Sequence, residues 1–169
     1  MLHDVQAWLG ETTLAEWVRD SVPFKALLES FHILAIALVL FSVGMITMRL
    51  MGLAGRSEPA TAMVKRFAPW IWGSLVVVFA TGLILLTGAG RRGLDNPMFA
   101  VKAATLLGAV VLTLVLQQAL SANAAFWELT AGRRTLTRLI APLCFLLWLA
   151  TVCAGRWLAY SSTFFVPAY

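Results

Sequence analysis

Residues 29–48 read ESFHILAIALVLFSVGMITM. A carboxylate and a histidine open the stretch, and hydrocarbon side chains then run on almost without interruption. About 20 apolar residues in a helix suffice to cross the roughly 30 Å hydrocarbon core of a bilayer. The period-2 alternation of a membrane barrel strand is missing. The segment therefore predicts a transmembrane helix from about Phe24 to Leu50. It also raises a question, because His32 stands at its mouth. Ionisable groups within spans are costly, normally face the bundle interior or water, and mark functional candidates.

The rest of the chain agrees with a membrane setting. Of 169 residues, 60% are hydrophobic and 12% charged, with a mean hydropathy of +0.84, whereas a soluble domain is about a quarter charged. Three further runs are long enough to span: PWIWGSLVVVFATGLILLTG at 69–88, a run over about 97–120, and LIAPLCFLLWLATVCAGRWLAY at 139–160. The connections carry stop signals, GLAGRSEPA after the first span and GAGRRGLDNP after the second, where Pro97 suits a helix start. The expected fold class is all-α: an integral membrane four-helix bundle forming a single domain over 1–169. Ala100, Ala104 and Gly108 recur at interface spacing on the third span, a pattern that lets helices approach closely and is also common in membrane helices generally.

In a soluble protein the net charge of +5 would suggest nucleic acid. Here the basic residues lie mainly between apolar runs, which is the footprint of membrane topology, so lipid is the expected partner and nucleic acid is not. Arg49, Arg56, Lys65, Arg66, Arg133, Arg134 and Arg138 flank one side, against Arg19, Lys25, Arg91 and Arg92 on the other. The richer side is expected to be cytoplasmic, placing both termini in the periplasm of a bacterial inner membrane. The acidic N-terminus, with Asp4, Glu11, Glu16 and Asp20, does not resemble a signal-peptide n-region, so the first span is expected to remain uncleaved. Ahead of it, WLGETTLAEWVRDSVPF at 8–24 contains Thr13 and Glu16 in capping-box spacing. A short interfacial helix over about 4–20 is expected, with Trp8, Leu9, Leu14, Trp17 and Val18 along one side, either anchoring the bundle or covering a site.

His32, with Glu29 at i−3, enters from the outer end of the first span; Lys102 lies about a turn inside the third, and Arg156 is near the outer end of the fourth. Four ionisable groups from three helices are thus expected at one depth. Three readings compete. The cluster could be a structural ion-pair network that fixes register, with Glu29 paired to Lys102 or Arg156. It could be a redox site, in which His32 ligates the iron of haem b or hydrogen-bonds a quinone while Lys102 and Arg156 meet the polar groups of the cofactor and Trp157 stacks on it. It could be part of a proton or metal-ion pathway, with His32 as the titrating or metal-binding group. Bis-histidine haem ligation has only His3 as a second histidine. Met45, Met48 and Met51 lie toward the other end of the first span, where they are packing or a copper-binding row. Trp70, Trp72, Phe99, Trp127, Trp157, Tyr160 and Tyr169 mark interfacial belts. The loop with Arg91, Arg92, Asp95 and Asn96 reads as solvated or as a contact for a periplasmic partner. Cys144 and Cys153, nine residues apart on one helix, are too far apart for a disulfide and read as buried thiols.

Hydrolase and transferase signatures are missing: there is no GxSxG, P-loop or HExxH. A channel or transporter would need oligomerisation to complete a pathway. What remains is a redox-cofactor subunit of a membrane electron-transfer assembly, or a structural or assembly subunit. Either is expected to associate with copies of itself or with other membrane subunits.

The segments FHILAIALVLFSVGMITMRLMGLAGR, APWIWGSLVVVFATGLIL, NPMFAVKAATLL and LWLATVCAGRWLAY together resemble the bacterial four-helix membrane family of unknown function DUF6644. The resemblance covers nearly the whole chain. It is carried by His32 and its apolar run, RLMGLA at 49–54, the NP that precedes Lys102, and AGRW at 154–157. It implies a four-span inner-membrane protein and no particular activity. Some members carry a histidine near the end of the third span, where this chain has Gln117 and Gln118.

Overall fold

The computed structural model describes residues 8, 10–55, 57–88, 97–122 and 131–164. Among them are a short helix, α1 (Thr13–Asp20), and four long ones: α2 (Val22–Met51), α3 (Ala60–Gly88), α4 (Pro97–Ala122) and α5 (Ala131–Phe164). All four long helices have the length and composition to cross a membrane. In hydrocarbon only structures that satisfy their own backbone are admissible, and helices do so within one segment. The protein is an all-α membrane bundle.

The contacts run in a ring: α2 packs most extensively on α3, α5 on α4 and then on α2, and the α3–α4 contact is thinner. Consecutive helices are neighbours, as short connections dictate. Val39, Val43, Ile71, Leu75, Ala109, Cys144 and Trp148 form the dry centre. Since lipid tails are as apolar as these side chains, close packing and interhelical hydrogen bonds hold the helices together more than the hydrophobic effect does.

Each of the four contacts in the ring carries a hydrogen bond. Between α2 and α3, His32 Nδ1 lies 2.8 Å from Thr81 Oγ1. Between α3 and α4, Trp72 Nε1 donates to Gln117 Oε1 at 2.9 Å. Between α4 and α5, Trp148 Nε1 donates to Thr113 Oγ1 at 3.0 Å. Thr113 passes its own proton to the Ala109 carbonyl at 2.7 Å, so the Cys144 thiol 3.3 Å away is left to donate to the same oxygen. Between α5 and α2, Thr47 Oγ1 donates to the Ala141 carbonyl at 3.3 Å. Interhelical bonds of this kind contribute about 0.5–2 kcal/mol each, and together they specify which rotation of each nearly uniform apolar helix is native.

Two helices start earlier than hydropathy predicts. α3 begins at Ala60 and α5 at Ala131, so Pro69 and Pro142 fall inside helices. The additional turns of α3 have their own packing, with Ala60, Met63 and Val64 buried. α2 stops where the sequence says it should: Gly52 takes a left-handed φ of 72°, its N–H reaches the Arg49 carbonyl at 3.0 Å, and Leu53 N–H reaches Met48 at 2.9 Å. A residue with a Cβ would be strained there. On α4, a Cβ added at Gly108 would stand 3.7 Å from Leu147 of α5, whereas Ala100 and Ala104 face outward, so only one of the three small residues lies at a helix contact. Cys144 is buried and Cys153 exposed, both as free thiols; the expectation that both are buried holds for the first alone. Trp70, Trp157 and Tyr160 are exposed, while Trp72 turns inward to Gln117.

The cap of α1 is Thr12 rather than Thr13: its hydroxyl accepts from Ala15 N–H at 3.3 Å. Two adjacent threonines make the pattern degenerate, and the first one wins. The buried side of α1 is Ala15 and Val18, with Trp8, Leu14 and Trp17 exposed, so the aromatic side faces away from the bundle. Trp17 meets Phe24 edge to face at 6.2 Å. Leu9 lies outside the described residues, as do the loop 89–96 with its four polar side chains, Trp127 and Tyr169. α1 docks on the last turn of α3, where Gly88 leaves room for Val18: a Cβ on residue 88 would overlap Val18 Cγ1.

That contact predicts a cycle. Gly88→Ala should lower stability by about 1–3 kcal/mol through overpacking, and Val18→Ala in the same chain should restore most of it. Thermal unfolding of the four proteins in detergent checks the coupling, which would be zero if α1 did not dock there.

Candidate functional site

α2 is about 45 Å long, so roughly 7 Å of it projects beyond each face of a 30 Å hydrocarbon layer. His32, about 15 Å along that helix, then lies on the order of 7 Å below the boundary at the α1 end. Thr81 fixes its ring. This hydroxyl sits 2.6 Å from the Val77 carbonyl and 3.3 Å from that of Val78, in the i−4 and i−3 positions where helical threonines return their proton to the backbone. When that proton stays with the helix, Thr81 accepts from the imidazole, giving the tautomer in which Nδ1 carries the proton and Nε2 the lone pair. Gly82 makes room: a Cβ at that position would stand 3.3 Å from His32 Cε1.

Lys102 comes from α4. Its side chain lies along α5 at Gly155, where an added Cβ would come within 3.5 Å of Cε and 3.6 Å of Nζ. One polar side chain thus comes from the α2–α3 pair and one from the α4–α5 pair, each set against a glycine of the neighbouring helix. Together they offer a lone-pair acceptor and a three-proton donor.

The other expected members do not join them. Glu29 is half exposed and pairs with Lys25 at 4.0 Å, not with Lys102 or Arg156. Arg156 is exposed, donates to Tyr160 Oη at 3.2 Å and stacks over that ring at 5.3 Å. Each has an i±4 partner on its own helix, close enough to capture it at the hydrated helix end. Trp157 is 59% exposed and faces outward. Of the four expected residues only His32 and Lys102 are partly buried. Thr81 and Gly82 stand beside the first and Gly155 beside the second, and sequence reasoning missed all three. The only signal was a threonine followed by glycine at the level of His32, and it is faint because both residues are ordinary in membrane helices.

Met45 is half-buried and Met48 and Met51 are partly exposed, about 20 Å or more along α2 from His32. Among the described residues no three His, Cys, Asp or Glu side chains group as metal ligands.

The tautomer can be read directly. In protein carrying ¹⁵N-labelled histidine, the His32 resonances are expected at the shifts of an Nδ1–H imidazole, and Thr81→Val should move them toward the Nε2–H form while lowering stability by about 1 kcal/mol.

The family model for the family of unknown function DUF6644 matches residues 19–161. That interval contains all four long helices up to Ser161 and every residue of the site. No curated protein and no solved structure matches the chain. With most of its length matched, the chain belongs to the DUF6644 family.

Proposed function

We propose that the protein is a membrane subunit that holds a redox cofactor of the quinone class for an electron-transfer assembly. The observation that carries this reading is a partly buried imidazole held at Nδ1 by Thr81, whose second nitrogen is open to a ligand; Lys102, partly buried against Gly155 of α5, adds a donor. Their level just below the α1-end surface suits a ligand whose isoprenoid tail stays in lipid. The basic residues of the opposite end support a cytoplasmic location for that end, and with it a site on the periplasmic side of a bacterial inner membrane. The electrons must come from or go to another cofactor, which a partner subunit or a second copy of the chain supplies.

Haem b fits less well. His32 is the only described histidine, and His3 lies outside the described residues. The methionine row is at the far end of α2, so a second axial ligand would have to come from elsewhere.

A second reading has an observation in its favour. The His32–Thr81 bond has counterparts on the other three helix contacts, so it could serve assembly alone, in a structural subunit.

The two separate in one set of measurements. Protein purified in native-lipid nanodiscs is expected to retain quinone, quantified by extraction and mass spectrometry, and to show no Soret band. His32→Ala and Lys102→Met should each lower quinone content at least fivefold. Thr113→Val, which breaks a different helix contact, should lower thermal stability and leave quinone content unchanged. A quinone-free wild type in which all three variants lose stability alike establishes the structural reading, and a Soret band lost in His32→Ala establishes haem.

A further inference from the structure

Resting on the cofactor-holding reading, we propose that the His32 site selects the reduced, hydroxyl-bearing form of its ligand over the oxidised quinone. The argument starts at Thr81. Its hydroxyl lies 2.6 Å from the Val77 carbonyl, and with the proton returned there the 2.8 Å contact with His32 is made by an Nδ1–H donor. A neutral imidazole has one N–H, and Nε2 is then an acceptor with nothing to donate. A quinone has carbonyl oxygens only. Set against Nε2, a carbonyl brings two lone pairs together, and neither side is satisfied in a medium without water to intervene.

A quinol reverses this. Its O–H donates to Nε2, while a lone pair of the same or the other oxygen accepts from the Lys102 ammonium, which can donate but not accept. Both protein groups are then paired. Gly82 sets the edge of the His32 ring close beside the α3 backbone, and Lys102 lies along α5 at Gly155. Among the described residues no carboxylate pairs with Lys102, and no described side chain donates to Nε2.

Sites built to pair a hydroxyl discriminate strongly against an analogue that lacks it, because their own polar groups are stranded. One stranded buried acceptor corresponds to about ten- to a hundredfold. The test uses the full chain in nanodiscs under anaerobic conditions, titrated with decyl-benzoquinol and with decyl-benzoquinone. The expected result is tenfold or more tighter binding of the quinol, with the ratio collapsing toward one in Thr81→Val, where the imidazole is free to move its proton to Nε2. A merely structural Thr81 would weaken both ligands in proportion and leave the ratio intact, which overturns the tautomer argument. Equal or tighter binding of the quinone to the wild type overturns the selectivity while leaving the cofactor reading standing. Binding of neither ligand overturns the cofactor reading itself. Should Thr81→Val fail to fold, the ¹⁵N shifts of wild-type His32 decide alone: an Nε2–H imidazole sinks the proposal.

Discussion

Hydrocarbon offers no partner to a polar side chain, and this constraint organises the molecule. The backbone meets it by forming helices. Some polar side chains return to their own helix, as Thr105 and Thr151 do. Others meet the constraint sideways at each of the four helix contacts: His32 with Thr81, Trp72 with Gln117, Trp148 with Thr113, and Thr47 with the Ala141 carbonyl. Ser42 Oγ and Gln117 Nε2 are buried with no such bond among the described residues. The spans are apolar on nearly every side, so burial alone would tolerate many rotations of each helix. A polar side chain tolerates few, since turning it into lipid costs a hydrogen bond that nothing replaces. Register in this bundle is set by a few polar atoms and filled in by many apolar ones.

The same constraint distinguishes His32 from the other three. Tryptophan brings a single donor and is finished once Gln117 or Thr113 has accepted from it. Imidazole has two nitrogens, and a hydrogen bond at Nδ1 defines the state of Nε2 without consuming it. A threonine that returns its proton to its own helix is a one-way partner, and it converts a flexible tautomer into a fixed one. The geometry separates a group that holds helices together from a group that holds them together and still has chemistry to offer.

How much of this was legible in the sequence follows from how far each signal reaches along the chain. Four spans, their order and the stop at Gly52 depend on runs of residues and short turns, and all are read correctly. The starts of α3 and α5 are not, because hydropathy falls before the helix does and because Pro69 and Pro142 look like boundaries. His32 and Lys102 stand out as costly groups in apolar runs. Glu29 and Arg156 stand out equally and are misread, since Lys25 and Tyr160, one turn away, capture them at the helix ends. Thr81, Gly82 and Gly155 could not be picked out, because their role depends on how α3 and α5 are rotated, and nearly uniform apolar helices do not encode rotation in their hydropathy. Thr12 displaced Thr13 as the cap for a simpler reason: two neighbouring hydroxyls make the same pattern.

The two internal prolines have a structural consequence. α3 and α5 both run from the end opposite α1, and Pro69 and Pro142 come at similar distances from their starts. Each proline removes the N–H that would have bonded the carbonyl four residues back, the carbonyls of Lys65 and Arg138, basic residues exposed at the hydrated end. The bundle therefore lacks one backbone hydrogen bond in each of two helices at similar height, beside a small void lined by Val64, Ile71, Ala141 and Cys144. Both missing hydrogen bonds thus fall in the half of the bundle away from α1, His32 and Lys102.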